Sequence, residues 1–331
     1  MSSKGKILSG MRPTGKLHLG HLVGAISNWT ELQNEYECFF MVADWHALMS
    51  EYENPSDIKN NGIEVVKDWI SSGIDPEKCV IFVQSMVPEH LELAMVFSLL
   101  TPLGWLERCT TYKEQLRELK GRALATYGFL GYPVLQAADI ALYSANKVPV
   151  GVDQLPHLEL TREIVRRFHS LYGSDIFPEP EPVLTRVPKL VGLDNRKMSK
   201  SYNNFIALSD DEQTLKRKVF SMYTDPNRVS PDVPGNVDGN PVFSYHDVFN
   251  PDKEEVEDLK ERYRKGNVGD VEVKQKLFEA LNARLEPIRK KRESLADEEV
   301  LSIILTGAER ARKAASVTMA SVRKCLHQMA V

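Results

Sequence analysis

The chain reads as an α/β protein: a parallel sheet with crossover helices over about the first 190 residues, followed by an all-helical region. Three observations carry that class. Short apolar runs of strand length alternate with longer amphipathic stretches in the first part. The run at 38–43 is continuous enough in apolar residues to be a strand buried on both faces, and 79–84 is a further strand. From about Ser209 onward the apolar residues recur only at helical spacing.

Taken in order, Lys6–Ser9 is the first strand candidate, followed by the turn Gly10-Met11-Arg12-Pro13-Thr14-Gly15 and a helix from about Gly20 to Glu35. Cys38–Ala43 is the second strand. Pro55-Ser56-Asp57 opens a helix to about Ser72, with Ile63, Val66 and Ile70 on one face. Cys79–Gln84 is the third strand, and a helix covers Pro88 to Leu100. A helix from Pro133 to about Ala145, a strand at Val148–Val152 and a helix from Pro156 to Phe168 continue the alternation. Ligands of such sheets sit at the carboxyl ends of the strands. Pro178, Pro180, Pro182 and Pro188 then make a stiff, extended passage. Helices are expected at 209–223, 253–265, 270–292, 297–306 and 308–328, with an irregular loop over Asp225–Tyr245. In the third of these, Leu277, Leu281, Leu285 and Ile288 form an apolar stripe.

A length of 331 residues suggests about two domains, and 42% hydrophobic with 27% charged residues is an ordinary globular composition. No apolar run approaches the ~20 residues of a membrane span, and Met1–Gly5 does not begin a secretory signal. Four dispersed cysteines without a CxxC pair predict neither a zinc site nor a disulfide framework. The expectation is a cytoplasmic protein with reduced thiols, no membrane contact and no resident metal. A net charge of −4 gives no general attraction to nucleic acid, so DNA coating is not expected. Arg289-Lys290-Lys291-Arg292 is either a local basic face or a solvated helix end.

Two motifs carry the chemistry. Leu17-His18-Leu19-Gly20-His21 follows the first strand, and Lys197-Met198-Ser199-Lys200-Ser201 lies about 180 residues later. Each alone reads equally as solvated polar loop; together they suit a grip on a nucleotide triphosphate and point to ATP-driven activation of an amino acid. In that reaction the substrate carboxylate attacks the α-phosphorus, so the protein supplies alignment and charge stabilisation rather than a nucleophile. His18 and His21 serve alignment, Gly20 admits close approach, and the helix starting there is expected to present free N–H groups. Lys197 and Lys200 are mobile point charges that follow the departing pyrophosphate, with Ser199 and Ser201 as hydroxyl donors.

A third motif, Tyr132-Pro133-Val134-Leu135-Gln136-Ala137-Ala138-Asp139, puts Tyr132, Gln136 and Asp139 on one helical face. These three either pair among themselves or line a slot whose end is a carboxylate awaiting a donor. A fourth, Val148-Pro149-Val150-Gly151-Val152-Asp153-Gln154, has Gly151 for close approach of a ribose and Asp153 as acceptor for its hydroxyls. A turn capped by Asp153 fits that motif as well.

With these motifs in hand the chain resembles the class I aminoacyl-tRNA synthetases over nearly its whole length, and within them the tryptophan branch. The resemblance rests on Ser9–His21, Ala43-Asp44-Trp45-His46, Tyr132–Asp139, Val148–Gln154 running into His157–Arg162, and Lys197–Ser201. It implies a Rossmann-type, doubly wound catalytic domain at 1–205, with a mobile loop at about 190–205, and a helical anticodon-binding domain at 206–331. The last helix belongs either to that domain or back against the first. It further implies a homodimer and Mg2+-ATP-dependent charging of tRNA(Trp) with tryptophan.

Carried over residue by residue, His18, His21, Lys197 and Lys200 take the catalytic positions. Met11, Arg12, Thr14, Gly20, Gly151, Asp153, Met198 and Ser199 join them around ATP. Ser9, His46, Tyr132, Gln136, Asp139, Val148, Val150 and Gln154 line the tryptophan pocket, with Asp139 accepting the indole N–H. A buried carboxylate there rejects phenylalanine, which leaves it unpaired. The sequence departs from the family pattern at Gln115, where a phosphate-contacting lysine is usual and Lys113, Arg117 or Lys120 stands in. Val152 replaces an acidic residue, and Gln136 an apolar one. No cysteine lies between Cys109 and Cys325, so the iron–sulphur cluster of some relatives has no ligands. The alternatives are a tyrosine-specific relative with the same helix face, a nucleotidyl transferase that never meets RNA, and a catalytically dead binding module.

Overall fold

A computed structural model describes residues 5–109, 126–184, 190–198, 202–225, 228 and 230–328. Strands β1 (Lys6–Met11), β2 (Glu37–Val42), β3 (Cys79–Val83), β4 (Lys147–Val150) and β5 (Glu181–Leu184) form one sheet in the order β3-β2-β1-β4-β5. Every pairing is parallel. The chain builds outward from β1 on one side, then restarts on the other, so the switch point lies between β1 and β4. There the ladder is confined to Ile7 opposite Lys147, whereas β1 and β2 pair along all six residues. The carboxyl halves of β1 and β4 are thereby left unbridged, which opens the crevice such folds use for ligands.

The described residues fall into two compact units. The first comprises Met1–Thr14, Ser27–Thr185 and Ala296–Val331 and holds the sheet. Its helices are α1 (Ser27–Glu35), α2 (Asp44–Glu51), α3 (Ile58–Ser71), α4 (Glu89–Leu100), α5 (Leu103–Arg108), α6 (Tyr127–Leu142), α7 (Leu155–Tyr172) and, at the carboxyl end, α12 (Asp297–Cys325). On one side Trp29 of α1 stacks on Phe40 of β2 with centroids 4.5 Å apart, and Trp69 of α3 meets it edge-on. The central core runs from Leu8 and Phe39 through α4, α6 and α7 to Ala311, Ala315 and Met319 of α12.

Several expectations are corrected. The helix placed at 133–145 begins at Tyr127, because Thr126 caps it by accepting the Phe129 N–H, and Pro133 is carried inside it. The strand placed at 148–152 stops at Val150 and turns into a 3-10 segment, Val152–Gln154. The proline-rich passage contains β5; at a sheet edge Pro182 lacks an N–H without harm. Helices α2 and α5 were not anticipated. The two helices expected at 297–306 and 308–328 are one, since Gly307 does not interrupt α12 but lets it touch the backbone of β3. An ideal Cβ at Gly307 would lie 1.8 Å from the Ile81 carbonyl oxygen. One turn on, Arg310 Nη1 donates to Cys79 O at 3.0 Å. Strand β3 ends the sheet, and α12 covers the carbonyls it would otherwise expose.

The second unit comprises Gly15–Ile26 and Arg186–Leu295. It holds α8 (Glu212–Phe220), α9 (Pro241–Phe249), α10 (Lys253–Lys265) and α11 (Asp270–Glu293). The irregular loop expected over Asp225–Tyr245 therefore ends early: Asn240 caps α9 through the Val242 N–H. In α11 the stripe Leu277, Leu281, Leu285, Ile288 is buried as expected. Lys274 on the same helix is also buried and donates to Phe220 O, Met222 O and Thr224 Oγ1, closing the end of α8. The boundary expected at 205/206 separates presumed roles; the compact units follow the contacts just given.

Candidate active site

In the second unit the early turn and the late lysine motif share a framework. Leu17–Leu19 runs antiparallel to Ile206–Leu208, through Leu19 N–H to Ile206 O at 3.1 Å and Leu208 N–H to Leu17 O at 3.0 Å. His18 caps the turn that follows: its Nδ1 accepts the Gly20 N–H at 3.2 Å, and His21 Nδ1 accepts the His18 N–H at 3.1 Å. The first N–H groups of the turn are thus consumed internally, with His21 and Leu22 N–H on His18 O. This corrects the expectation that they stand free. The same bonds decide the tautomer. A ring whose Nδ1 accepts carries its hydrogen on Nε2, so His18 and His21, rings 3.8 Å apart, each act as Nε2–H donors.

Gly20 lies against the late motif: a Cβ there would sit 3.3 Å from Met198 Sδ. Lys197 is held by its backbone, through a bridge to Val191 and a bond from Asn204 Nδ2 to Lys197 O at 3.1 Å, while its side chain is exposed. Asn204 also donates to Asp194 Oδ1 at 2.7 Å; that bond, with Arg196 beside it, holds the Asp194 carboxyl down at about 2. Ser199, Lys200 and Ser201 lie outside the described residues, as do Lys113, Gln115, Arg117 and Lys120.

In the first unit Ser9 and Met11 lie on β1, with Arg12 and Thr14 just beyond its carboxyl end. Val148 and Val150 are buried in β4, which ends at the same side of the sheet. Gly151 follows; a Cβ on it would meet Asp153 Oδ1 at 2.5 Å, so glycine is what lets the Asp153 carboxylate fold over the strand end. Gln154 Nε2 donates to Asp153 Oδ2 at 2.8 Å.

Helix α6 supplies the third motif. Tyr132 is buried with its hydroxyl 3.0 Å from His157 Nε2, and Cys109 Sγ lies 3.7 Å from the other ring nitrogen. Burial, with His46 nearby, pushes His157 down to about 4, so the ring is neutral at physiological pH. Gln136, one turn on, is half-buried. Asp139 is buried and accepts three bonds: His46 Nε2 on Oδ2 at 2.8 Å, and Gln84 Nε2 at 2.9 Å with His90 Nδ1 at 2.6 Å on Oδ1. Burial alone raises a carboxyl, but the bond from His46 and the charge and bond of His90 outweigh it and hold Asp139 at about 2. It is a buried carboxylate, ionised and capable of accepting from a ligand.

Local structure assembles this cluster. Asp44 Oδ1 accepts both the Trp45 N–H at 3.0 Å and the Ser85 N–H at 2.9 Å, tying the start of α2 to the end of β3. His46 and Gln84 are thereby brought to one side. Sequence reasoning named His46 and Asp139 but not Gln84, His90 or Tyr143. The available signal was His90 on the face of α4 that otherwise buries Leu93, Phe97 and Leu100. A polar ring at a core position needs partners.

The family described as tRNA synthetases class I (W and Y) matches residues 2–286. A tryptophan–tRNA ligase of Thermotoga maritima is 49% identical over 327 residues, 98% of this chain and 99% of the relative. The corresponding ligase of Chlamydia caviae is 49% identical, over 98% of this chain and 96% of its own length. Among solved structures, a tryptophanyl-tRNA synthetase from Campylobacter jejuni complexed with ADP and tryptophan superposes with a TM-score of 0.88 at 34% identity, covering 97% of this chain and 99% of the other.

Proposed function

The chain belongs to the class I tRNA synthetases of the tryptophan and tyrosine group, and on that footing we propose that it charges tRNA(Trp) with tryptophan. The observation that carries the reading is Asp139: a buried, ionised carboxylate on the polar face of α6 with acceptor capacity on Oδ2. An indole N–H fills the remaining acceptor position on Oδ2; an apolar side chain of similar size leaves that position empty and forfeits the bond. Tyr132, Gln136 and Gln154 hold the α-amino end, and Ser9, His46, Val148 and Val150 bound the slot.

The reaction runs in two steps. A tryptophan carboxylate oxygen bonds to the α-phosphorus of ATP, and the bond to the bridging oxygen breaks to release pyrophosphate. The tRNA's terminal ribose hydroxyl then attacks the adenylate carbonyl and AMP leaves. His18 and His21 donate from Nε2 to the phosphates as charge moves onto the departing oxygen. Lys197 and Lys200 add positive charge, and Met198 and Ser199 belong to the same ATP-binding segment of the sequence. Met11, Arg12, Thr14 and Gly20 bound the nucleotide, and Gly151 with Asp153 receives its ribose. Mg2+ enters on the triphosphate as part of the substrate.

The working unit is a homodimer in the cytoplasm. A cavity of about 260 Å³ lined by Met49, Leu91, Met95, Leu103 and Tyr127 supports the first part, with Met95 60% and Tyr127 77% exposed in its lining. A contiguous apolar patch of that kind suits a second copy. Four free thiols suit a reducing compartment. Exchange of labelled pyrophosphate into ATP tests the enzyme: it is expected with tryptophan and not with tyrosine. Exchange with tyrosine alone transfers the assignment to the tyrosine branch, and none with any amino acid removes the activity.

A further inference from the structure

The acceptor Asp139 is built unevenly. A carboxylate oxygen has two lone pairs, and both on Oδ1 are taken, by Gln84 Nε2 at 2.9 Å and His90 Nδ1 at 2.6 Å. Oδ2 carries only His46 among the described residues. The groups on Oδ1 are themselves fixed. His90 is fully buried and its far nitrogen is met by Tyr143 Oη at 2.8 Å. Tyr143 is wedged between Phe39, stacked at 4.6 Å, and Phe82, edge-on at 5.5 Å. Gln84 is fully buried too, and its Oε1 has no hydrogen-bond partner. That amide is kept for its donor end alone, although an unpaired buried acceptor is costly.

His46 differs from these. Its side chain is 13% exposed, against 0% for His90, and it sits on the oxygen with capacity to spare. The donors are therefore sorted: the sealed ones lie on Oδ1, the accessible one on Oδ2.

We propose that Gln84 and His90, the latter backed by Tyr143, are positioning residues for amino-acid selection: they saturate Oδ1 of Asp139 and turn Oδ2 to the indole N–H. The inference rests on the reading of Asp139 as the indole acceptor. An ionised carboxylate has no hydrogen to give, so His90 must donate from Nδ1. Tyr143 Oη, 2.8 Å from Nε2, pins the far side of the ring and so holds Nδ1 on the carboxylate. Remove that relay and the carboxylate is free to rotate and to offer its charge elsewhere. Tryptophan then loses its directed bond while ATP contacts remain.

The test compares tryptophan with β-(3-benzothienyl)alanine, in which sulfur replaces the indole N–H at nearly the same shape. In the full chain, His90→Leu is expected to raise the tryptophan KM about 10- to 100-fold and leave the ATP KM within about twofold. The preference for tryptophan over the sulfur analogue is expected to fall by about tenfold, because the analogue never used the bond. His90→Asn, whose amide nitrogen replaces Nδ1, should restore most of that preference. Should His90→Leu fail to fold, Tyr143→Phe removes a single hydroxyl and is read by the same ratio, with a loss of about three- to tenfold expected. Equal losses for tryptophan and the sulfur analogue in either variant would overturn the proposal, leaving these residues a purely structural part. A wild-type enzyme that does not distinguish the two substrates would instead remove Asp139 as the indole acceptor, and the relay's role with it.

Discussion

Gly307→Ala is a substitution whose sign separates a surface helix from a buried contact. In an exposed helix, alanine for glycine stabilises by about 1 kcal/mol. Here the new Cβ would fall 1.8 Å from Ile81 O and 2.7 Å from Ile81 C. Ordinary contact needs about 3.5 Å, so α12 and β3 must separate by roughly 1.5 Å. The opposing atoms are backbone in the sheet, with no side-chain end to swing aside. Overpacking of that kind costs about 1–3 kcal/mol, and loss of the Arg310 bond to Cys79 O adds about 1 kcal/mol after its partial exposure is allowed for. Against the helix gain, a net destabilisation of about 1–3 kcal/mol is expected. Thermal unfolding followed by circular dichroism, with urea midpoints alongside, reads it. Because β3 leads directly into Gln84, a modest rise in tryptophan KM should accompany the lower midpoint. A variant that melts higher than wild type would refute the close approach of α12 to β3.

Acid sensitivity should carry a signature of His157. Its folded value of about 4 lies below the ordinary 6.5, so the unfolded chain takes the proton first as pH falls. The stabilisation is whole above about pH 6.5 and is lost towards pH 4, about 3 kcal/mol in all. His157→Gln should flatten that part of the urea-midpoint profile; a profile parallel to wild type counts against a buried neutral ring. Arg228 is buried, bonds to Val233 O, Pro231 O, Val268 O and Asp270, and lies 3.9 Å over the Tyr263 ring. Arg228→Met should cost about 3–5 kcal/mol, and lysine should not rescue it, lacking the planar fork. Equal midpoints for Arg228→Lys and wild type would show that charge alone suffices. Gly151→Ala drives Asp153 off the strand end, so the ATP KM should rise about tenfold with the tryptophan KM little changed. A rise in the tryptophan KM alone would move Asp153 away from the ribose.

Much of the architecture was legible because it is written in local periodicity. Short apolar runs at 38–43 and 79–84 read as strands, the first continuous enough to be buried on both faces, and their alternation with amphipathic helices makes the sheet parallel. His18, His21, Lys197 and Asp139 stand out as chemistry-bearing side chains in turns or on an apolar helix. Other features depended on partners far away in the chain. Gly307 looks like a helix break until Ile81 is seen beneath it, and β5 hides in a proline-rich passage that only an edge position tolerates. The capping that consumes the N–H groups after His18, and so makes both imidazoles Nε2–H donors, needs the ring orientations. Gln84, His90, Tyr143 and Asp139 come from the end of β3, from α4 and from the end of α6, where no spacing rule connects them. Helix and strand periods record which face of an element is buried, because each depends on neighbours a few residues off. Which donor meets which oxygen is decided only when separate elements pack, since a hydrogen bond needs about 3 Å and a direction that chain distance does not encode.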